Sequence, residues 1–398
     1  MTDTLQWSVC AHDDATIELL KNMFQAQAPW KIDLEVVSIP WGEYKQELTQ
    51  IAIHNSGKVD VSQAGAPLVN DLMAMNVLRP FSERDIAEVG GEKTFLPIAW
   101  QNCFFARDRT VWSIPVFSDP RAVIYWSDLL EKAGVDESLA FSSAEHFDRT
   151  LQQLQTGGVQ YPWSLNLLDR FLCLQVASSW LWDAGVDFVS AKTGKSEFLS
   201  PAGFKGLKAY FDLKRYMDPG TIHMEWQEVH NLFPQRQAAV AIVNFGQARQ
   251  WYQNAPKALR PFLKIATPLK QGYVGGSNLV IWASSHMSEM DVNLIKFLTS
   301  EEVQRFYPPT FGQLPVRQDI LDDERFAASD PVVVGFINVL KNGRMYPNVK
   351  FGGLLEDQLT RAFDRIWHIL FTEPSSTTEE TLRRVLSPIA RRYDNIAN

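Results

Sequence analysis

Residues 111–135 read VWSIPVFSDPRAVIYWSDLLEKAGV, and this stretch decides the fold that we expect. Two strand-like runs lie within residues 112–126, and a polar, proline-containing break at residues 118–120 separates them. A break of this kind between strands is a place where a chain can pass from one domain to another. We therefore predict that the chain leaves a first lobe and enters a second lobe close to residue 118.

Upstream of this break, strand and helix patterns alternate. A strand around Trp7 precedes a helical pattern at residues 13–27, a strand at 32–40, a helix at 43–57 and a strand at 59–65. The order βαβαβ predicts a parallel sheet with helices on both faces. Ligands of such sheets bind at the carboxyl ends of the strands, which here are residues 10–14, 40–44 and 63–66.

Downstream of the break, helical patterns dominate. Ser143 and Ser200 stand at positions where a hydroxyl can cap a following helix. Residues 237–245 read QAAVAIVNF and predict a buried strand, and GGSNLVIWA at 275–283 predicts another one. Helical signals then continue from Met287 to the end of the sequence. No single linker divides the chain, as expected when two lobes are joined by several crossings.

Bulk properties limit the class of protein. A chain of 398 residues is too long for one ordinary core and fits two domains. The net charge of -8 argues against a nucleic-acid surface, and no run of 18 apolar residues is present. The three cysteines are widely spaced and are expected to be buried thiols. The first residues, MTDTLQW, enter a strand at once, so that either a signal was removed or the native protein is intracellular.

Motifs for catalysis and metal binding are incomplete. TGKS at 193–196 follows Val189, where a phosphate loop needs its first glycine. GGSNL at 275–279 lacks the last glycine of a nucleophile elbow. His223, Glu225 and His230 do not have the spacing that places metal ligands on one helical face. We therefore expect no catalytic residues, no metal and no cofactor.

Ordered landmarks along the chain carry a resemblance. Besides residues 111–135, they are IPWGEYKQEL (39–48), SGKVDVSQA (56–64), LRPF (78–81), SSWLWDAGVDF (178–188), FLSPAGFKGLKAYFDL (198–213), FPQRQAAVAIVNFGQARQW (233–251), GGSNLVIWASS (275–285), IKFLTSEEVQRFY (295–307) and FGQLPVRQDI (311–320). In this order they resemble the extracellular solute-binding proteins that serve sugar ABC transporters, the maltose-binding-like group.

The resemblance implies an α/β fold of the type II periplasmic-binding-protein class, with two lobes, each a sheet flanked by helices, and a ligand cleft between the lobes. It assigns residues 1–118 with 270–316 to the N-terminal lobe and 119–269 with 317–398 to the C-terminal lobe. The implied function is a non-catalytic receptor that captures a carbohydrate or polyol by hinge closure. Alternatives are an intracellular ligand-sensing protein and, third, an enzyme acting on carbohydrate.

The resemblance also implies partners and a compartment. A carbohydrate ligand and the permease subunits of an ABC transporter are the expected partners, nucleic acid is not, and the protein is expected to be a monomer. The family is periplasmic or at the extracytoplasmic cell surface; a native start without a signal would instead place the protein in the cytoplasm.

Aromatic rings and planar polar groups are the expected ligand-binding residues, because sugar C–H faces stack on rings while hydroxyls need donors and acceptors. The candidate platforms are Trp41, Tyr44, Trp180, Trp182, Trp251 and, as a weaker choice, Phe245. The candidate polar groups are His12, Asp13, Gln63, Asp119, Arg121, Arg249 and Asn278. Gly276, next to Gly275, would allow a close backbone approach, and Tyr346 would cover the ligand.

Each of these residues has a structural alternative. Every candidate ring can be a core residue instead, Asp119 and Arg121 can pair with each other, and the glycines can relieve a tight strand. Arginine side chains at the cleft can also recognise a phosphate or carboxylate, so the sequence leaves an anionic solute open.

Overall fold

The chain folds into two compact units. A computed structural model describes residues 4–10, 13–27, 32–54, 59–104, 109–327 and 330–396, without the side chains of residues 41 and 327. The first unit comprises Met1–Ser118, Gly275–Asp323 and Lys350–Gly353. The second unit comprises Asp119–Val274, Glu324–Val349 and Leu354–Asn398.

The described residues contain strands in two sheets. The strands are β1 (Thr4–Cys10), β2 (Asp33–Ile39), β3 (Val61–Gly65), β4 (Ile114–Pro120), β5 (Ala122–Trp126), β6 (Trp163–Ser164), β7 (Val240–Val243), β8 (Leu263–Ala266) and β9 (Val274–Ile281). The first sheet has the order β2-β1-β3-β9-β4 and the second has the order β6-β7-β5-β8.

Helices make up most of the remaining chain. They are α1 (Asp14–Gln27), α2 (Trp41–His54), α3 (Ala66–Ala74), α4 (Glu83–Glu88), α5 (Pro97–Trp100), α6 (Ser127–Lys132), α7 (Ala144–Thr156), α8 (Arg170–Asp183), α9 (Pro201–Asp212), α10 (Trp226–Leu232), α11 (Phe245–Asn254), α12 (Ser288–Leu298), α13 (Glu301–Thr310), α14 (Gln318–Leu321), α15 (Glu324–Ala327), α16 (Pro331–Asn342), α17 (Gly352–Thr372) and α18 (Thr378–Ile396). Short 3₁₀ helices lie at Glu92–Thr94, Gln101–Cys103, Leu213–Tyr216, Pro219–His223 and Arg260–Phe262. In the described part of the chain, no helix is both long and apolar enough to cross a membrane.

The first sheet has the predicted βαβαβ start. Strand β1 pairs in parallel with β2 and with β3, and β9 runs antiparallel to β3. Leu5, Trp7 and Val9 are fully buried, which explains their alternation in the sequence. Helix α2 begins at Trp41, two residues earlier than predicted, and its predicted end at Gly57 lies outside the described residues.

The second sheet combines parallel and antiparallel pairs. Strand β5 is antiparallel to β7 and to β8, whereas β6 is parallel to β7. The predicted caps are confirmed, since the Ser143 hydroxyl accepts from the backbone N–H of His146 and the Ser200 hydroxyl from that of Gly203. The predicted interruption at residues 118–120 is wrong in detail, because β4 continues through Pro120 and a single residue, Arg121, separates it from β5.

The units differ from the predicted lobes at their edges. Residues 270–274 belong to the second unit, where the Tyr273 carbonyl accepts from the Arg121 N–H at 2.8 Å. Residues 317–323 belong to the first unit, where Arg317 donates to the Thr299 carbonyl at 3.1 Å. Residues 350–353 also belong to the first unit, since Lys45 donates to the Gly353 carbonyl at 3.1 Å.

Candidate functional site

One edge of the second sheet collects several predicted site residues. Ala122 at the start of β5 pairs with Val243 at the end of β7, and Ser164 at the end of β6 pairs with Ala241. The segments next to these strand ends therefore meet at the same edge, where open α/β sheets bind their ligands. We call this the polar edge and define it as residues 119–121, 166–175 and 244–249.

Asp119 and Arg121 form an ion pair at the polar edge. Arg121 Nη1 lies 2.7 Å from Asp119 Oδ1, and Arg121 Nε donates to Gln175 Oε1 at 2.7 Å. Burial would lower the pKa of Arg121, but the charge of Asp119 and its hydrogen bond outweigh burial and raise it. The guanidinium is thus already bound within the unit, as the pairing alternative predicted.

The start of α8 lies between two groups of the polar edge. The Asp169 side chain caps this helix by accepting from the Leu172 N–H at 2.9 Å. The negative charge of Asp169 acts to raise the pKa of Arg121 and also that of His230. The start of α8 therefore lies near both side chains. Phe171, in the first turn, is 47% exposed. An exposed ring therefore stands among polar groups here.

A second exposed ring lies at the start of α10. Trp226 is 47% exposed and stacks on His230 with ring centroids 4.9 Å apart and an interplanar angle of 22°. Burial lowers the pKa of His230, although its hydrogen bond with Gln247 of α11 acts in the opposite direction. Trp226 thus joins the polar edge through His230 and Gln247.

The candidate residues of α11 pack mainly inward. Phe245 is fully buried and meets Phe336 edge to face, with centroids 5.6 Å apart. Trp251 is 8% exposed and stacks on Phe233 at 4.8 Å. Arg249 Nε lies 3.5 Å from Asp330 Oδ2. Of the three, Arg249 retains the most exposed side chain.

Trp182 and Tyr346 belong to one aromatic group of the second unit. Trp182 stacks on Tyr273 with centroids 6.5 Å apart and an angle of 12°, and Tyr346 lies 4.7 Å from Tyr273. The Trp182 indole N–H donates to Asp187 Oδ2 at 2.9 Å. Arg344 lies over the Trp182 ring at 5.2 Å and pairs with Asp187 at 2.9 Å. Because the Trp182 ring is enclosed, packing describes it better than a solvent-facing platform.

Sequence reasoning missed the partners of Trp182. Burial raises the pKa of Asp187, while the charge of Arg344 lowers it. Tyr273 lies beside the two predicted glycines, and Asp187 follows Trp182 within the SSWLWDAGVDF landmark, so both were near segments already singled out. The contact of Arg344 with this landmark has no local sequence signal.

Trp180 is a core residue, and its expected role as a platform is wrong for this reason. It is 1% exposed and packs against Phe147 at 5.1 Å and Tyr210 at 5.4 Å. Trp180 and Trp182 are two positions apart on α8, so their side chains point in different directions from the helix. No ring face of Trp180 is available to a solute.

The first unit presents its own polar residues at the strand ends. Gln63 of β3 is buried, accepts from the Cys10 N–H at 3.4 Å and donates to Ser277 Oγ at 3.0 Å. Asn278 of β9 is buried and donates to Ser113 Oγ at 2.8 Å. These amides are hydrogen-bonded inside the unit. Both therefore hold neighbouring strands together.

Gly276 is required by the close approach of two strands. A Cβ atom at this position would lie 2.2 Å from the Phe117 carbonyl oxygen, and the φ angle is +155°. No side chain fits at that distance. The alternative of a tight strand therefore accounts for this glycine.

The remaining candidates of the first unit lie near the ends of β1 and β2. The Asp13 carboxylate accepts from the Thr16 N–H and hydroxyl, both at 2.9 Å, and these bonds lower its pKa. Tyr44 is 6% exposed and belongs to an apolar cluster with Leu48. His12 and the side chain of Trp41 lie outside the described residues.

The rings that the sequence proposed as platforms are buried, whereas the rings that are exposed were not proposed. The described candidate rings are at most 8% exposed, with the exception of the half-buried Tyr346. Among the described Phe, Tyr and Trp side chains, the exposed rings are Phe171, Trp226, Phe262 and Phe351. Trp226 stands between the polar residues Glu225 and Gln227, and polar residues on both sides of a tryptophan are a signal of exposure. Within the described part, no cluster of three or more His, Cys, Asp or Glu side chains fits a metal ion.

Known proteins resemble this chain along most of its length. A protein described as a binding protein of Brucella abortus (strain 2308) is 21% identical over 358 residues, which are 88% of this chain and 84% of that protein. The sugar-binding protein MalE of Xanthomonas citri is 20% identical, covers 98% of each chain and has a TM-score of 0.80. An ABC transporter solute-binding protein of Thermotoga lettingae TMO, bound with alpha-D-tagatose, is 20% identical, covers 100% of each chain and has a TM-score of 0.76.

These structures establish the two-lobed α/β fold that the sequence predicted. A family model agrees with them, since the description "bacterial extracellular solute-binding protein" applies to a match over residues 12–305, which is more than half of the chain. The chain therefore belongs to the family of bacterial extracellular solute-binding proteins.

Proposed function

We propose that this protein is a receptor that captures an uncharged carbohydrate or polyol and delivers it to the permease subunits of an ABC transporter. The observation that carries the proposal is the exposed Trp226 ring beside the polar groups of His230 and Gln247. An indole face suits the C–H face of a sugar ring, and the polar groups suit its hydroxyls. The sugar-binding protein of Xanthomonas citri and the tagatose-bound protein of Thermotoga lettingae support this class of ligand.

Charge pairing at the polar edge favours an uncharged solute over an anionic one. Arg121 pairs with Asp119 at 2.7 Å, and Arg249 approaches Asp330 at 3.5 Å. The cations close to this edge are paired too, namely Arg170 with Asp364, Lys270 with Asp183 and Arg344 with Asp187. A phosphate or carboxylate would therefore meet an acidic partner beside each cation.

The proposed mode of action is binding without turnover. Hinge closure needs no chemistry, only better contacts with the solute in the closed state than in the open state. We propose that the protein acts as a monomer in the periplasm or at the extracytoplasmic cell surface, and the word "extracellular" in the family description supports a location outside the cytoplasm. The ABC transporter partner is supported by the description of the Thermotoga lettingae protein.

A solute screen with paired variants tests this proposal. Thermal unfolding would be followed with neutral mono- and oligosaccharides, polyols and the corresponding sugar phosphates, because a ligand that binds the folded state raises its stability. Trp226→Ala should weaken binding of the responding neutral solute about tenfold, which corresponds to 1.4 kcal/mol of lost ring contact. Calorimetric titration would measure the affinity.

Phe262→Ala is the matched control. Phe262 is also an exposed ring of the second unit, at 38% exposure, but it precedes Leu263, which pairs with Trp126 at the other end of β5. This variant should bind the solute as the wild type does. A response to sugar phosphates alone, or equal affinity in the Trp226→Ala variant, would contradict the proposal. Release of a chemically changed product would contradict the non-catalytic role.

A further inference from the structure

A cavity lies at the opposite edge of the second sheet. It has a volume of about 490 Å³, and its walls include residues 157–161 before β6, Trp163 at the start of β6, residues 236–238 before β7 and Lys132 of α6. Since β6 and β7 are parallel and β5 is antiparallel to β7, the starts of β6 and β7 lie beside the end of β5. This edge is opposite to the polar edge. The volume is within the range of about 300–1,000 Å³ that is typical of small-molecule sites.

Arg236 is held in an unfavourable conformation in the wall of this cavity. Its φ angle is +60°, a region in which residues other than glycine are uncommon and cost about 1 kcal/mol or more. Its N–H donates to the Phe233 carbonyl at 2.9 Å as α10 ends, a position that usually contains glycine. Glycine would adopt this φ angle without backbone strain. The strained arginine therefore indicates that its guanidinium has a role at this position.

The Arg236 guanidinium is only partly satisfied. It lies over the Trp126 ring at 4.7 Å and pairs with Asp128 through Nη2. Its Nη1 atom is buried and has no hydrogen-bond partner among the described residues. One buried donor of the group thus lacks an acceptor.

The other walls supply a cation, hydroxyl partners and an apolar surface. Lys132 is exposed and forms no ion pair within the described residues. Gln160 donates to the Tyr161 hydroxyl at 3.1 Å, and Asp218 accepts from the Gly220 N–H at 2.8 Å. Trp163 is 1% exposed, and its indole N–H has no acceptor in the described part of the chain.

We propose that this cavity is a second small-molecule site, distinct from the polar edge, for a hydroxylated anion such as a sugar acid or a sugar phosphate. The anionic group faces Lys132 and Arg236, and the hydroxyls bond to Asp218, Gln160 and Tyr161. Arg121 and Arg249 of the polar edge face Asp119 and Asp330, and Arg236 pairs with Asp128 in the same way. The cation that distinguishes the cavity from the polar edge is therefore Lys132, which forms no ion pair within the described residues.

Calorimetric titration of the full chain with glucuronate, glucose 6-phosphate and neutral glucose tests the site. At least one anion should bind with one-to-one stoichiometry, and the anion that binds identifies whether carboxylate or phosphate is preferred. Lys132→Gln should weaken anion binding about tenfold, because a charge-assisted hydrogen bond contributes about 1.5–3 kcal/mol. Arg236→Gly should weaken it to a similar degree while the backbone keeps its φ angle.

Two controls keep the outcome decisive. Trp226→Ala, which removes the exposed ring next to the polar edge, should bind the anion as the wild type does. Circular dichroism would verify that Arg236→Gly is folded; if it is not, Lys132→Gln decides alone. The proposal is overturned if neither anion binds at millimolar concentration, if Lys132→Gln binds with wild-type affinity, or if Trp226→Ala abolishes binding.

Discussion

Asp291 is a carboxylate enclosed in the first unit. It is fully buried, accepts from the Ser285 hydroxyl at 2.8 Å, and its Oδ1 has no hydrogen-bond partner among the described residues. Burial raises its pKa to about 6, with a further increase from the charge of Asp60 and opposing contributions from Ser285 and Arg79. The folded state therefore binds this proton more tightly than the unfolded state does, since an unfolded Asp titrates near pH 3.9.

The direction of the pH dependence follows from this difference. Because the folded pKa is the higher one, the contribution of Asp291 to the free energy of unfolding grows as pH falls from 7.5 through 6 toward 4. Its slope is at most about 1.4 kcal/mol per pH unit. Asp291→Asn should remove this component, which urea unfolding at a series of pH values would measure.

Asp136→Asn is the control for that series. Hydrogen bonds from Ser138 lower the pKa of Asp136, so its stabilising contribution is lost only as pH falls below the unfolded pKa. The difference in unfolding free energy between this variant and the wild type should stay constant between pH 5 and 7. If Asp291→Asn shows the same constant difference, the carboxylate is not protonated in this range.

The type of a single residue does not show whether its side chain is buried. Trp180 and Trp251 were candidates because their rings lie in landmarks of the family resemblance, but Phe147 packs against Trp180 and Phe233 stacks on Trp251. Trp226 was not among the predicted site residues, although the polar residues on either side of it indicate exposure. Residue type thus predicted the kind of site, whereas the accessible rings depend on contacts between segments far apart in the chain.

Elements were more predictable, because their signals are local. The alternation around Trp7, the helix at 14–27 and the caps at Ser143 and Ser200 all appear where periodicity and capping placed them. The break at residues 118–120 was displaced, because Pro120 still fits the end of a strand. The pairing of β5 with β7 joins segments more than a hundred residues apart, so no local pattern predicts it.

The contact between β9 and β4 provides a test at the level of elements. Gly276→Ala should destabilise the protein by at least about 2 kcal/mol, because its Cβ would lie 2.2 Å from the Phe117 carbonyl oxygen and the strands must separate. Gly65→Ala in β3 is the matched control, since its φ is -62° and no atom lies within 4 Å of an added Cβ. Chemical denaturation would compare the two, and equal stabilities would show that the strands adjust freely.

Each of the two units is assembled from several stretches that are separate in the sequence. The second unit takes residues 119–274 and then 324–349 and 354–398. Its core cluster unites Phe147, Trp180 and Tyr210 with Phe363 and Trp367 of α17. A family resemblance can indicate such an order of segments, but composition and periodicity cannot, because each helix reads alike wherever it packs.

Truncation after Gly353 tests this dependence on the last two helices. It removes Phe363, Ile366 and Trp367 of α17 and Leu382 and Leu386 of α18, all at most 1% exposed. Burial of each such side chain contributes roughly 1.5–3 kcal/mol, so their combined loss is comparable with the 5–15 kcal/mol that typically stabilises a folded domain. We expect the second unit to lose cooperative thermal unfolding, which calorimetry would detect.

Adding residues 354–398 as a separate peptide is the matching control for the truncated chain. The ring of Trp367 in α17 lies 4.7 Å from the ring of Phe211, measured between centroids. The peptide should therefore bind the exposed core of the truncated chain and restore its cooperative unfolding transition. Tryptophan near-ultraviolet circular dichroism would report the same recovery, because Trp180 and Tyr210 regain a fixed environment. If the second unit of the truncated chain unfolds cooperatively without the peptide, residues 119–274 and 324–349 are enough to form this core, and the C-terminal helices are not needed to stabilise it.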